Sequence, residues 1–124
     1  MTGDPTSGLD AVVLDVCRLP VDFHTIGTVS AVELVRRSGY RSMRSDVTVG
    51  RVADCLRDHP DWVDRWFEWS ADNRSSPAWY VLESGDGRFE LGFFDGRATE
   101  STSFFTDRVE ACATFVLRYL EGFR

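Results

Sequence analysis

Six carboxylates fall close together between Asp54 and Asp72, namely Asp54, Asp58, Asp61, Asp64, Glu68 and Asp72, against only Arg57 and Arg65. Asp61, Asp64 and Glu68 stand at i, i+3 and i+7, which places three carboxylates on one side of a helix. Trp62, Trp66 and Trp69 stand at i, i+4 and i+7 on another side of it. Carboxylates spaced along a helix can stand in for phosphates, so such a face attracts a basic protein, speeds its approach at low salt and sets its register through charge pairs. A tryptophan exposed beside them would anchor the interface. The candidate partner-binding residues are therefore Asp61, Asp64, Glu68, Asp72, Arg74 and Trp69. The plainer alternative is that a water-facing helix side is ordinarily charged and that tryptophans at helical spacing are ordinarily core.

Catalytic and metal-binding patterns are absent from the sequence. Nucleophilic catalysis needs a Ser or Cys held near a base, and only His24 and His59 supply imidazoles, with no Gly-x-Ser-x-Gly turn near either. Cys17, Cys55 and Cys112 are far apart, odd in number and each on an apolar stretch, which fits reduced, buried thiols without a disulfide. Neither the histidines nor the cysteines have the paired spacing that holds zinc, and Gly85-Asp86-Gly87 joins two strands instead of opening a helix as a phosphate cradle does. No metal or cofactor is expected, and the chain reads as non-enzymatic. Arg36, Arg37, Arg41 and Arg44 form the one basic patch. Its flanking helices invite comparison with a helix-turn-helix, but the connection from Gly39 to Val47 is about twice the three to four residues such a motif uses.

These residues belong to a chain of 124 with 43% hydrophobic and 13% aromatic content, enough for one domain with a close-packed interior. The net charge of -6 argues against nucleic acid as a partner. No apolar run approaches the roughly 18 residues that span a bilayer, and Met1 to Gly8 lacks the character of a signal peptide, so no membrane association and a cytoplasmic location are expected. All 14 basic residues are Arg. A GC-rich bacterial genome accounts for that more simply than a demand for guanidinium geometry does.

The elements that must position the candidate residues can be read from periodicity and caps. Residues 1–8 read as a flexible tail and 9–124 as a single α+β domain. Leu9, Val12, Val13, Val16 and Cys17 keep helical spacing, although strand is also open there. Pro20 stops that helix, Val21 to Gly27 connects, and Ser30-Ala31-Val32-Glu33 is a capping box for a second helix ending at Gly39. Tyr40 to Val47 reads as an Arg-rich loop. Thr48 caps a third helix ended by His59-Pro60, and Pro60 suits the first position of a fourth. Trp79 to Ser84, Phe89 to Asp95 and Ala98 to Phe105 read as strands joined by glycine-bearing turns, with Thr106 capping a last helix. The expected fold is thus α+β: N-terminal helices, a three-stranded antiparallel meander, and a C-terminal helix packed on the sheet.

The stretch from Asp61-Trp62-Val63-Asp64-Arg65-Trp66-Phe67-Glu68-Trp69 through Ser70-Ala71-Asp72-Asn73-Arg74-Ser75-Ser76-Pro77-Ala78-Trp79-Tyr80, leading into strands and a closing helix at Phe105-Thr106-Asp107-Arg108, resembles the small α+β immunity proteins that bacteria encode beside polymorphic or contact-dependent toxins. The resemblance covers Val29 to Phe123 and implies a non-enzymatic protein that binds one cognate toxin and blocks its active site or its movement. It carries over no binding residue of the family. Whether the chain also pairs with itself stays open. The alternative function is a small-ligand-binding or regulatory module, with the aromatic cluster of Trp79, Tyr80, Phe93 and Phe94 holding the molecule.

Overall fold

The computed structural model describes residues 5–72 and 77–122, which form seven α-helices, one short 3-10 segment and three strands. In chain order these are α1 (Pro5–Cys17), α2 (Leu19–Ile26), α3 (Ala31–Ser38), α4 (Tyr40–Met43), the 3-10 turn Arg44–Asp46, α5 (Val49–Arg57), α6 (Pro60–Asp72), β1 (Ala78–Glu83), β2 (Phe89–Phe94), β3 (Thr99–Phe105) and α7 (Arg108–Glu121). The α+β order of helices, antiparallel meander and closing helix is as expected. None of these helices is long and apolar enough to cross a membrane.

Leu9 to Cys17 is helical, and α1 begins at Pro5, inside the stretch expected to be a tail. Proline tolerates the first turn of a helix because the amide it lacks would have no partner there. The same reasoning corrects the connection at Val21 to Gly27. Pro20 does end α1, but it also occupies the first turn of α2, which runs to Ile26 and closes on Gly27 at φ 76°. Arg18 spans the break, reaching Asp15 and Asp22 at 3.1 Å each. The Arg-rich loop is likewise mostly helical, as α4 and the 3-10 turn, because buried Tyr40 and Val47 pull its two ends into the core.

Caps fall close to their expected places. Ser30 Oγ accepts the Glu33 amide at 3.1 Å, and Thr48 Oγ1 accepts the Arg51 amide at 3.3 Å. The last helix is capped one residue later than expected, by Asp107 and not Thr106, with Asp107 Oδ1 accepting the amides of Val109 at 2.9 Å and Glu110 at 3.3 Å. A carboxylate at that position meets the positive end of the helix as well as its free amides, which a threonine hydroxyl cannot match.

The sheet runs in the order β1-β2-β3. Val81 faces Leu91 across the first pair, and both join the core with Val116 and Leu120 of α7. Trp66 lies at the centre of that core, fully buried, with Nε1 donating to the Cys17 carbonyl at 2.8 Å and ring edges against Trp69, Phe115 and Tyr119. The hydrogen bond matters because an indole N–H stripped of water without a partner would cost more than its ring gains.

The free edge of β1 is closed by α6. Ser70 Oγ accepts the Val81 amide at 2.8 Å and donates to the Val81 carbonyl at 3.0 Å, so one hydroxyl does for this residue what a fourth strand would do. Between β2 and β3 the register shifts at Leu91 and Gly92, which face Ser103 and Ser101, leaving Thr102 as a bulge. Thr102 Oγ1 donates back to the Leu91 carbonyl at 3.2 Å.

Candidate functional site

Helix α6 separates its tryptophans from its carboxylates as the spacing requires. Trp62 and Trp66 are buried, while Asp61, Asp64 and Glu68 are exposed on the other side. His59, just before the helix, stacks flat on Trp62 with ring centroids 3.7 Å apart and planes 6° from parallel, which fixes where α6 begins relative to α5. The three carboxylates differ in their surroundings. Asp64 receives Arg108 of α7 at 2.7 Å, and Glu68 has Arg65 at 3.6 Å, both pairs on largely exposed side chains that contribute little to stability. Asp61 has no ion-pair partner among the described residues.

The acidic surface continues onto Asp54 and Asp58, which the sequence grouped with it, and onto Asp10, which it did not. Between α1 and α5 lies a groove of about 370 Å³ lined by Asp10, Val13, Leu14, Arg51, Asp54, Cys55, Asp58 and His59. Asp54 is engaged by Arg57 at 3.3 Å, whereas Asp10 and Asp58 have no ion-pair partner among the described residues. Asp58 and Asp61 flank the α5–α6 turn, so the groove leads onto the exposed side of α6. Asp10 could have been found from α1 alone, since it lies between the apolar positions Leu9 and Val12 on the outward side of the helix.

Trp69 does not stand beside the carboxylates as an anchor. It is half-buried, with its ring edge-on to Phe23 at 5.0 Å and to Tyr119 at 5.9 Å, because α2 and α7 close over that end of α6. Asp72 ends α6, and its side chain, like the whole of Arg74, lies outside the described residues. Of the six candidate contacts, then, the structure brings Asp61, Asp64 and Glu68 to one exposed face and turns Trp69 inward.

The basic patch is divided. Arg36 and Arg37 both close on Glu33, each through Nε at 2.8 Å, and these bonds hold the Glu33 carboxyl down at about 2. Arg41 and Arg44 are exposed.

The cysteines are all free thiols. Cys17 Sγ donates to the Val52 carbonyl at 3.8 Å, and its neighbour Cys55, together with burial, pushes Cys17 up, while Cys17 pulls Cys55 down against the burial and the Asp58 and Asp10 charges that oppose a thiolate there. Burial pushes Cys112 up to about 12, against the lowering effect of the Arg108 charge. Among the described residues no group of three His, Cys, Asp or Glu side chains could hold a metal ion.

The aromatic cluster expected to hold a small molecule splits between the two faces of the sheet. Trp79 and Phe93 meet edge-on at 5.4 Å on the helix side, where Arg118 lies over the Trp79 ring, while Tyr80 and Phe94 alternate onto the outer side. Adjacent residues on a strand cannot share a face. No family model, curated protein or solved structure matches this chain.

Proposed function

We propose that the protein is a non-enzymatic binding protein, an immunity protein that neutralises a cognate bacterial toxin by occluding it through its acidic surface. The observation that carries this reading is the set of exposed carboxylates without an ion-pair partner among the described residues, Asp10, Asp58 and Asp61, at one groove, which Arg51 also lines, and on the helix face beside it. Carboxylates left uncompensated within the fold oppose one another, and that repulsion is relieved when a basic surface docks. Asp64 and Glu68 extend the same face, and their exposed pairs with Arg108 and Arg65 exchange readily for a partner's cations. The resemblance of the α6-to-sheet segment to immunity proteins supports the toxin as the kind of partner.

The test is capture from the source bacterium with the tagged wild-type protein and with the Asp61→Arg, Asp64→Arg, Glu68→Arg triple variant, at low and at high salt. The expected result is a basic protein retained by the wild type at low salt and lost by the triple variant. Its expression alone should arrest growth, and coexpression of the wild type should relieve the arrest. Retention by the triple variant at every salt concentration removes the acidic face from the interface, and a captured protein without toxicity overturns the immunity role.

A further inference from the structure

The outer face of the sheet holds a second recess, of about 310 Å³, that shares no residue with the acidic groove. Ser70, Leu82, Phe94 and Thr99 wall it, and Tyr80 and Glu90 supply its polar centre. Glu90 is half-buried, and its Oε2 accepts the Tyr80 hydroxyl and, at 2.8 Å, the Ser101 hydroxyl. Both donors are neutral. They orient the carboxylate but leave its charge uncancelled, and no guanidinium or imidazole lies within ion-pair distance of it among the described residues. Neither hydroxyl uses Oε1, although a carboxylate accepts up to about four hydrogen bonds. Tyr80 is itself buried, and burial together with the Glu90 charge raises its ionisation, so the phenol stays a donor.

The tyrosine is held over the sheet by an absent side chain. Gly92 faces Tyr80 across the strands, and a Cβ there would run into the Tyr80 ring and lie 2.6 Å from the Glu100 carbonyl. Only glycine at this position lets the ring lie flat and bring its hydroxyl to Glu90.

An uncompensated carboxylate on an aromatic and aliphatic floor selects by charge and by surface. Anions are repelled, and a neutral ligand leaves the Glu90 charge unanswered. A hard metal ion needs several oxygen ligands, whereas the described residues lining the recess supply one carboxylate. An organic cation satisfies both features, through its charge to Glu90 and its apolar body to Phe94 and Leu82, with an aromatic face adding attraction. We propose that this recess binds a small organic cation, an ammonium or guanidinium group on a compact apolar body, with Glu90 as its counter-ion and Phe94 as its aromatic wall. The volume lies at the low end of the roughly 300–1,000 Å³ typical of ligand sites, which fits a small amine and not a nucleotide.

The test uses the full chain titrated with benzylamine, benzyl alcohol and benzoate while backbone amide resonances are tracked by NMR. Saturable shifts at Leu82, Glu90 and Phe94 are expected with benzylamine, at least about tenfold weaker binding with the alcohol, and no binding with benzoate. Glu90→Gln, which keeps both acceptor oxygen and shape, should weaken benzylamine about tenfold or more. Thr99→Arg, an exposed substitution that places a guanidinium at the rim, should abolish its binding by internal competition and serves if Glu90→Gln does not fold. Absence of saturation with benzylamine, equal binding of benzoate, or wild-type affinity in whichever of these variants folds would overturn the proposal.

Discussion

On the inner face of the sheet Val81 and Leu91 lie opposite one another in the core beneath α7, each at most 2% exposed, whereas the same two strands carry Tyr80, Glu90 and Gly92 on the outer face around an open recess. The inner face is specified by volume. Its side chains are interchangeable in chemistry and constrained only by how closely they pack, so their worth lies in area and fit. The outer face is specified by donors, acceptors and one missing Cβ, and it holds a carboxylate, Glu90, without an ion-pair partner among the described residues. A sheet in a domain this small can thus stabilise the fold with one face and retain chemistry on the other.

Breaking the inner side should have the largest effect. Trp66→Ala removes the largest fully buried side chain and its hydrogen bond to Cys17, and should cost about 3–5 kcal/mol in urea denaturation, with an unfolding midpoint that shifts accordingly. Gly92→Ala tests the outer face by overfilling it. Displacement of Tyr80 and of the Glu100 backbone should cost about 2–3 kcal/mol by the same measurement and should separate the Tyr80 hydroxyl from Glu90. Equal stability of this variant and the wild type would mean that the close approach of Tyr80 to Gly92 is not maintained in solution.

Ser70→Ala sharpens the comparison at the edge that both faces share. It leaves the Val81 amide and carbonyl without their partner where α6 excludes water, and should cost about 1–2 kcal/mol and speed hydrogen exchange at Val81 selectively. Asp107→Ala, which uncaps α7 above the inner face, should cost about 1 kcal/mol at neutral pH. Burial works against ionisation of Asp107, but the Glu110 amide, the Arg57 guanidinium and the Val109 amide outweigh it and hold its carboxyl below the ordinary carboxylate range. Because the folded value is depressed, this contribution is fully present above the unfolded value of about 3.9 and is lost as the pH falls through the folded one. The gap between wild type and variant, measured by thermal denaturation, should therefore close below about pH 4 and stay constant above about pH 5.

The candidate site was legible in part. Charge at i, i+3 and i+7 brought Asp61, Asp64 and Glu68 to one exposed face, because helix geometry alone places them there once the tryptophans point inward. The same periodicity could not separate Trp69 from an exposed anchor, since its burial depends on Phe23 and Tyr119, which come from α2 and α7. Asp10 and Asp58 meet at one groove only because α1 packs against α5, a contact between segments far apart in sequence. Likewise Tyr80, Glu90 and Ser101 lie on three different strands, and only the pairing register brings their oxygens together.

What the sequence determined by itself was local. The hydrophobic periods of α1, α5, α6 and α7, the Ser30 and Thr48 caps and the glycine-bearing turns of the meander each involve residues within one or two helical turns or a strand pair, where bond geometry and nearest neighbours dominate. Pro20 and Pro5 misled because a proline's effect is directional: Pro20 ends one helix and begins the next, the double role read correctly at Pro60, and Pro5 opens a helix where composition alone indicated a tail. The tertiary structure decided which polar groups keep an uncompensated charge and which are spent on internal pairs. Glu33 is consumed by its own helix, Asp64 by Arg108 of another, while Asp61 and Glu90 are left without a cation among the described residues. That division depends on distances between elements, and electrostatic energy is settled by those distances and by the exclusion of water between them.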